Sequence, residues 1–313
     1  MQISNVCVLG GAGFIGCHIV HQLDAAGFRV KVLTRRRESA KHLILLPNVQ
    51  VIECDVRDDA ALLKHLAGAE AVINLLGILH QSGKASFSAI HAEFPRRVVA
   101  ACCELGIERL LHVSALNADV NGPSVYLRSK GEGEVAVKQS NLRWTIFRPS
   151  VVFGRGDSFL TMFAQLARWM PFLFLAKPQA RFQPIWVEDL AQAVAASVNE
   201  PQTIAQSYDL CGPRIYTLQA LVEYAGQCGG RKPKVIGLGD RLSYWQARFM
   251  ELLPVKLLTR DNLQSMSVDS VCDCEFPAVF GIKPSPLEAV APQYLGCNSP
   301  RNGYMQFRSN AGR

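Results

Sequence analysis

The stretch that decides the fold class of this chain is Asn5-Val-Cys-Val-Leu9-Gly10-Gly11-Ala12-Gly13-Phe14-Ile15-Gly16. Its first five residues predict a short apolar strand that stops at a glycine-rich turn. An amphipathic run follows to about Ala26, where Gly27 signals the end of a helix, and residues 28–33 then alternate apolar and basic side chains as a second strand does. A strand, a glycine turn, a helix and a second strand in succession form a βαβ unit.

This alternation of strands and helices continues through the first half of the chain. Helical stretches such as residues 88–105 separate further predicted strands at residues 49–54, 71–75, 109–113 and 143–147. The pattern predicts an α/β fold with a doubly wound parallel-sheet Rossmann domain. After Pro149 the regular alternation of strands and helices ends, and the pattern predicts mostly helical structure over residues 217–264. We therefore expect a smaller, mostly helical C-terminal substrate lobe.

The predicted domain boundaries follow from this change in the order of strands and helices. Residues 1–150 form the Rossmann domain, and residues 181–210 return to it with a helix and a strand. The substrate lobe consists of residues 151–180 and 211–297. Residues 298–313 hold Asn, Ser, Gly and Arg without periodicity and are expected to form a loose tail.

The composition excludes several classes of protein. The chain has 313 residues, of which 49% are hydrophobic and 19% are charged, so it is neither disordered nor fibrous. The net charge of +7 is spread along the chain except at residues 35–37, without the basic stripe and interleaved aromatic residues that bind nucleic acid. The ten cysteines lack the two-residue spacing of a zinc or redox site, so we expect no metal and reduced thiols in a cytosolic chain.

The glycine pattern predicts a dinucleotide site. Gly10 permits the tight turn, Gly13 lets a pyrophosphate approach the backbone, and Gly16 lets the helix pack closely on the strand. The phosphates would lie at the helix N-terminus, beside Phe14 and Ile15, where free N–H groups favour negative charge. The alternative is a purely structural turn.

The residues after the next strands predict which dinucleotide binds. The second strand ends at Thr34, Arg35 and Arg36, where an NAD binder usually offers a carboxylate to the ribose. Guanidinium groups instead suit a 2′-phosphate, so NADP(H) is preferred over NAD(H), unless the arginines are simply a solvated helix start. The remaining predicted contacts to the adenosine are Asp55 and Val56 after the third strand, with a simple turn as the alternative for Asp55, and Leu75, Leu76 and Gly77 after the fourth.

A serine, a tyrosine and a lysine predict acid–base chemistry. Tyr126 and Lys130 are four residues apart at the start of a predicted helix, which places both on one face. A nearby cation lowers the pKa of a phenol, as a general acid or base working near neutral pH requires. Ser114 ends the fifth strand, at the carboxyl edge of the sheet, where its hydroxyl could bind a substrate carbonyl.

These motifs resemble the extended and atypical branch of the short-chain dehydrogenase/reductase superfamily, over residues 3–295. The resemblance implies that Tyr126 transfers the proton, that Lys130 binds the nicotinamide ribose and that Ser114 orients the carbonyl. The segment Arg148 to Gly154, with Pro149, Val151 and Val152, is similar to the family's loop beside the nicotinamide, and residues 182–191 are similar to the signature of its epimerase/dehydratase-like members.

Within that superfamily the chain is most similar to the NADPH-binding accessory subunits of respiratory complex I and their bacterial relatives. The strings that carry this similarity are residues 112–118, 126–130, 153–157 and 286–292. The resemblance implies a structural role in binding NADPH. Two departures from the wider family matter: His91 replaces the helix asparagine that often anchors a proton relay, and Ser114 is followed by a shorter loop than nucleotide-sugar epimerases have, which disfavours a sugar-nucleotide site.

Three functions therefore remain open from the sequence. The first is an NADP-dependent oxidoreductase acting on an apolar carbonyl or quinone-like substrate, since the second lobe is rich in aromatic residues and methionine. The second is a non-catalytic NADPH-binding structural or assembly factor of respiratory complex I, and a sugar-nucleotide epimerase/dehydratase is a distant third.

The sequence also predicts a location. We expect a cytoplasmic protein that associates peripherally with the inner membrane face. The apolar segments 159–176 and 242–258 are interspersed with the basic residues Arg168, Lys177, Arg248, Lys256 and Arg260. A packed lobe core is the alternative explanation for those apolar segments.

Overall fold

The computed structural model describes residues 2–81, 85–252 and 257–296. The tail expected at residues 298–313 and the basic residue Lys256 lie outside these ranges. In chain order the helices and strands are β1 (Asn5–Leu9), α1 (Phe14–Ala25), β2 (Arg29–Thr34), a 3₁₀ segment (Arg37–Leu43), β3 (Val49–Glu53), α2 (Asp59–Leu66), β4 (Ala71–Asn74), a π-helical turn (Ser88–Glu93), α3 (Phe94–Leu105), β5 (Arg109–Val113), α4 (Val125–Lys138), β6 (Arg143–Pro149), β7 (Val152–Phe153), α5 (Phe159–Trp169), β8 (Phe172–Ala176), β9 (Arg181–Phe182), β10 (Ile185–Trp186), α6 (Val187–Ala196), a 3₁₀ turn (Pro201–Thr203), β11 (Gln206–Leu210), β12 (Tyr216–Thr217), α7 (Leu218–Cys228), β13 (Lys234–Leu238), α8 (Asp240–Met250), α9 (Arg260–Ser265), a second 3₁₀ turn (Ala278–Phe280) and α10 (Leu287–Leu295).

The chain forms two compact units. The first contains the described parts of residues 1–150, 187–211 and 272–283, and the second contains those of residues 151–186, 212–271 and 284–313. Residues 272–283, which the sequence groups with the smaller lobe, are thus part of the first unit.

A seven-stranded parallel sheet is the centre of the first unit. Its strand order is β11-β6-β5-β4-β1-β2-β3, so β1 lies between β2 and β4 and the order reverses there. The inner strands β4 and β5 are buried at every residue and are mostly apolar, as strands covered on both faces by helices are. The predicted Rossmann fold is confirmed.

The second unit is built on helices α5, α7 and α10, whose buried side chains form its core with those of β8. Three two-stranded sheets accompany them: β7 with β10, β8 with β13, and β9 with β12. The described part of residues 217–264 is mostly helical, as predicted, and β13 is the exception, which pairs in parallel with β8. β8 is itself a strand because Leu173 and Leu175 alternate with exposed phenylalanines, which is a period of two.

Arg109 is a buried cation that ties the amino end of the sheet to the segment after α6. Its guanidinium donates hydrogen bonds of 2.6 to 3.3 Å to the carbonyls of Arg143, Ser197 and Val198 and to the hydroxyls of Thr145 and Thr203. Burial lowers the pKa of Arg109 to about 10, so the group is charged at neutral pH. These bonds satisfy the charge without a carboxylate and fix the chain that leads into β11.

A disulfide bond joins Cys211, just after β11, to Cys272. The expectation of reduced thiols was therefore wrong for this pair. Their Cα atoms are 6.1 Å apart although they are separated by 61 residues in the sequence, so no local spacing could have indicated the bond. Both cysteines belong to the first unit, and the bond attaches residues 272–283 to the outermost strand of the sheet.

Among the described residues, no helix is long and apolar enough to cross a membrane.

We expect the substitution Cys272→Ser to lower the free energy of unfolding by about 3 to 4 kcal/mol, because the bond closes a long loop in the unfolded chain. Urea denaturation under non-reducing conditions measures this difference. Cys103→Ser, at an exposed free thiol, is the matched control. Equal stability of the wild type and Cys272→Ser in the absence of reductant would show that the bond does not stabilise the fold.

Candidate active site

The predicted site residues of the first unit meet at one edge of its sheet. Parallel strands end at the same edge, and ligands of open α/β sheets bind there, where the strand order reverses. The residues at or just beyond the strand ends are Gly10, Thr34, Asp55, Leu75, Ser114 and Pro149.

The glycine loop has the geometry of a phosphate cradle. Gly10 has a φ of +85°, and its carbonyl accepts a hydrogen bond of 3.0 Å from the Gly13 N–H. A Cβ atom on Gly16 would overlap the Gly10 carbonyl, so only glycine lets α1 start this close to β1. The first turn of α1, which contains the partly exposed Phe14 and Ile15, has no side-chain cap and no acidic residue. Its free N–H groups therefore suit the pyrophosphate of a dinucleotide.

The basic residues after β2 are exposed and available. Arg35 and Arg36 have no ion-pair partner within the described residues, and the Thr34 hydroxyl holds the turn by donating to the Arg36 carbonyl at 3.2 Å. Two free guanidinium groups at this point fit a 2′-phosphate.

Asp55 is already paired. Its carboxylate accepts hydrogen bonds of 2.6 to 3.1 Å from the Arg57 guanidinium, which lower the pKa of Asp55 to about 2. Both side chains are exposed, whereas the neighbouring Val56 is buried. An adenine amino group would have to share this carboxylate with Arg57.

The turn after β4, residues 75–77, contacts the strand before the glycine loop at one end and approaches Lys130 at the other. The Leu75 N–H donates to the Leu9 carbonyl at 2.9 Å, and the Leu76 N–H donates to the side chain of the buried Asn74 at 3.2 Å. A Cβ atom on Gly77 would lie 3.3 Å from the Lys130 Nζ. The predicted adenosine contacts are thus continuous with the predicted acid–base residues.

Tyr126 and Lys130 project from the start of α4. Ser124 caps this helix by accepting a hydrogen bond of 3.1 Å from the Leu127 N–H. Lys130 is buried, and its Nζ donates to the Val113 carbonyl at the end of β5, at 3.3 Å. The Tyr126 ring is partly exposed and packs edge-on against Phe87. The first turns of α4 therefore bring both residues to the carboxyl edge of the sheet.

Burial governs the charge of the lysine. It lowers the pKa of Lys130 from 10.5 to about 8, against an opposing attraction from Glu134. The amine is thus mostly protonated at pH 7 and becomes neutral just above pH 8.

Ser114 is buried beside the Glu134 carboxylate. Its hydroxyl is close enough to help lower the pKa of Glu134, but within the described residues it is not in hydrogen-bond geometry with any group. The structure places Ser114 at the predicted edge and leaves the hydroxyl able to bind a further group.

The sequence analysis missed a buried ion pair behind the site. Glu134 lies one turn after Lys130, and its carboxylate accepts two hydrogen bonds, of 2.8 and 2.5 Å, from Arg148 on β6. Burial raises the pKa of Glu134, but Arg148 and Lys138 outweigh it and keep the pKa below its usual value. The spacing of Lys130, Glu134 and Lys138 at four-residue intervals is the signal that could have indicated this network.

His91 is a structural group in this site. Its Nε2 accepts a hydrogen bond of 3.0 Å from the Ile78 N–H, and its Nδ1 lies 3.0 Å from the Ser129 hydroxyl. Burial, with a contribution from Lys130, lowers the pKa of His91 to about 2, so the ring is neutral at physiological pH. The ring also packs edge-on against Tyr126, at 5.4 Å between centroids. The His91 ring therefore packs against Tyr126 in its neutral form.

The last predicted residues are divided between the units. Pro149 accepts a hydrogen bond of 3.0 Å from the Leu116 N–H in the first unit. Val151 and Val152 belong to the second unit, where the Val151 carbonyl accepts from the Ile185 N–H at 3.0 Å. Their predicted contact with the nicotinamide stays a prediction.

An open cavity of about 480 Å³ lies at the opposite, amino edge of the sheet, near Asn5 and Arg29. It contains none of the predicted site residues and lacks the glycine loop. The carboxyl edge is therefore the better candidate for the active site.

Comparison with known proteins identifies the family. The family model for NAD(P)H-binding matches residues 10–157. NADH dehydrogenase (ubiquinone) 1 alpha subcomplex subunit 9, mitochondrial, of Mus musculus is 31% identical over 301 residues, which cover 92% of this chain and 78% of that protein. The chain belongs to the family of this NADH dehydrogenase subunit. Its residues 10–157 form an NAD(P)H-binding domain, as the sequence predicts.

Enzymes are also among its relatives. A ceramide reductase of Caulobacter vibrioides is 30% identical, and the match covers 75% of this chain and 74% of that one. The solved structure of an NADPH-dependent quinone oxidoreductase of Escherichia coli, complexed with NADPH, has a TM-score of 0.75 at 18% identity and covers 92% of this chain and 99% of its own. At that identity the structural similarity concerns the fold alone.

We expect Lys130→Met to raise the free energy of unfolding of the cofactor-free protein at pH 7 by roughly 3 kcal/mol. The folded-state pKa lies below the unfolded-state value, so burial of the protonated amine destabilises the fold below pH 8, and this cost falls as the pH rises from 8 to 10.5. Urea denaturation at pH 7 and pH 10 measures the change. Lys64→Met, at an exposed lysine on α2, is the control, and a gain for Lys130→Met that does not depend on pH would contradict the assignment.

Proposed function

We propose that this protein is an NADP-dependent oxidoreductase that reduces an apolar carbonyl or quinone-like substrate. The observation that carries the proposal is the buried Lys130 ammonium one helical turn from Tyr126, at the edge of the sheet that also holds the glycine loop. A charged amine is costly to bury, and a purely structural helix would be more stable without it.

The residues present fit an NADP(H) molecule. The uncapped N-terminus of α1 and the loop from Gly10 to Gly16 would hold the pyrophosphate. Arg35 and Arg36 would bind the 2′-phosphate, and Lys130 would donate to the hydroxyls of the nicotinamide ribose. The preference for NADP(H) over NAD(H) rests on the two free guanidinium groups.

The chain's own groups would handle the proton. When bound, the nicotinamide supplies a hydride to the substrate carbon. The Tyr126 hydroxyl gives its proton to the substrate oxygen, and the Lys130 ammonium stabilises the phenolate that remains. Ser114 would donate a hydrogen bond to the same oxygen. His91, being neutral and bonded through both nitrogens, holds the tyrosine ring in place and takes no proton.

The apolar character of the substrate is inferred from the second unit and from the relatives. The core of the second unit is apolar and contains aromatic side chains such as Phe153, Phe159 and Phe182. A relative named ceramide reductase acts on a lipid, which supports the same substrate class. A sugar-nucleotide epimerase or dehydratase is less well supported.

A second candidate function is a non-catalytic NADPH-binding structural or assembly factor of respiratory complex I. It is favoured by the 92% coverage of this chain in the match to the mitochondrial complex subunit. Under either function we place the protein in the cytoplasm, at the inner face of the membrane.

Turnover distinguishes the two candidates. We expect NADPH oxidation with short-chain quinones or apolar aldehydes, and we expect Tyr126→Phe to slow it by about 10² to 10⁴-fold because the proton donor is lost. Cofactor affinity, measured by calorimetry, should hardly change because the ring still packs against Phe87. Tyr224→Phe, in the second unit, is the control. A Tyr126→Phe variant as fast as the wild type would remove this residue from the mechanism, and NADPH binding without oxidation across the panel would favour the structural role.

The cofactor preference has a separate test. We expect NADPH to bind more tightly than NADH, and the double variant Arg35→Ala/Arg36→Ala to lose most of that difference, since each charge-assisted bond contributes about 1.5 to 3 kcal/mol. Calorimetric titration with both dinucleotides measures the ratio, with Arg29→Ala at the amino end of β2 as the control. Equal affinities of the wild type for the two dinucleotides would disprove the assignment.

A further inference from the structure

Helix α8 in the second unit has its large apolar side chains on the outside. Leu242, Trp245 and Phe249 on this helix, and Leu252 two residues after its end, recur at intervals of three or four residues and are 61%, 64%, 67% and 81% exposed, respectively. We call these four residues the α8 ridge. The side of the helix that is buried carries only the small residues Ser243 and Ala247. This inverts the usual arrangement of a surface helix, whose large apolar residues face the core.

The ridge is held rigidly on the second unit. The Ser243 hydroxyl donates to the Leu238 carbonyl at 3.3 Å, and the Gln246 side chain donates to the Phe174 carbonyl at 2.9 Å. Lys177, just after β8, forms an ion pair of 2.7 Å with Asp240 at the start of α8. The exposed rings are therefore presented by a fixed helix beside β8.

Neighbouring elements add further exposed apolar side chains. On β8, Phe172 and Phe174 point away from the core of the unit, and Trp169 at the end of α5 is almost fully exposed. Ile236 on β13 lies opposite Phe174 in the register of the two strands. Isolated exposed apolar residues are common, but several within one small unit indicate a binding surface.

The charges beside the ridge are positive and unpaired. Arg241 and Arg248 are seven residues apart, so they lie on one line along the flank of the ridge, and both are exposed. Neither forms an ion pair within the described residues. The acidic residues of the same segment are neutralised, Asp240 by Lys177 and Glu251 by Arg260 at 3.0 Å. A partner at this surface should therefore be apolar inside and negatively charged at its rim.

We propose that the α8 ridge docks on the surface of an anionic lipid bilayer. The tryptophan, the phenylalanine and the leucines enter the boundary between headgroups and acyl chains, while Arg241 and Arg248 bind phosphate oxygens of the headgroups. This inference makes the proposed membrane location specific. It holds whether or not the site in the first unit turns over substrate.

Vesicle flotation with the full chain tests the proposal. We expect the wild type to float with phosphatidylcholine vesicles that contain phosphatidylglycerol, and to float less at high salt because the attraction of the arginines is screened. Trp245→Ser/Phe249→Ser should weaken binding by more than about tenfold. Arg241→Gln/Arg248→Gln should weaken it by about 30-fold on the anionic vesicles, because each arginine contributes about 1 kcal/mol there, and should have little effect on phosphatidylcholine alone.

A matched control and the contrary outcomes complete the test. Leu45→Ser changes an equally exposed leucine in the first unit and should bind vesicles like the wild type. Urea denaturation, followed by circular dichroism, verifies that each variant is folded. The proposal is overturned if the wild type does not float at low salt, or if the ridge variants float as well as it does. Self-association that is lost in Trp245→Ser/Phe249→Ser, without vesicle binding, would assign the ridge to a second copy of this chain instead.

Because flotation is measured without substrate, its result is independent of the Tyr126→Phe assay. An inactive protein that floats would overturn only the proposed reductase function, and an active protein that does not float would overturn only the docking surface.

Discussion

The ion pair between Glu134 and Arg148 is the interaction on which the site depends. It joins α4, which carries Tyr126 and Lys130, to β6 inside the first unit, where removing one partner would leave a buried charge without its ion pair. The same helix approaches the π-helical turn so closely that a Cβ atom on Gly133 would overlap the His91 carbonyl. Through these contacts the helix has one position relative to the sheet. This position of the helix places the Lys130 amine beneath the edge where the strands end.

The parts of the fold that the sequence predicts are those whose signals are local. A valine-rich strand, a glycine loop and a helix lie within residues 5–25, and each adds to the same conclusion about β1 and α1. The strands from β2 to β6 are short apolar runs between helices, so their order along the chain predicts a parallel sheet. The residues at the strand ends could be named in advance because the topology alone brings them to one edge. The positions of Tyr126 and Lys130 follow from helix periodicity in the same way.

The features that escaped prediction depend on pairs far apart in the sequence. The hydrogen bonds of His91 reach Ile78 and Ser129, and those of Glu134 reach Arg148 across the turn between α4 and β6. The bond between Cys211 and Cys272 depends on a segment that returns to the first unit after the second. The strand β8 was not predicted because its exposed positions, Phe172 and Phe174, are apolar like its buried ones. Residues 172–176 therefore lack the alternation of apolar and polar side chains that indicates a strand. In each case the structure depends on a residue or strand elsewhere in the chain, and a single sequence does not identify which one.

The interrupted order of the two units has a consequence for biosynthesis. β6 is made long before β11, its neighbour in the sheet, and the carbonyls and hydroxyls that accept hydrogen bonds from Arg109 belong to residues from 143 to 203. During synthesis on the ribosome, the edge of β6 that will pair with β11 therefore stays unpaired while residues 151–186 emerge. The segment that the disulfide attaches is made only after residue 271. The nucleotide-binding unit is thus begun first but completed only after residues 151–186 and 212–271 of the second unit have been made. Its exposed strand edge is the place where a growing chain most needs protection from aggregation.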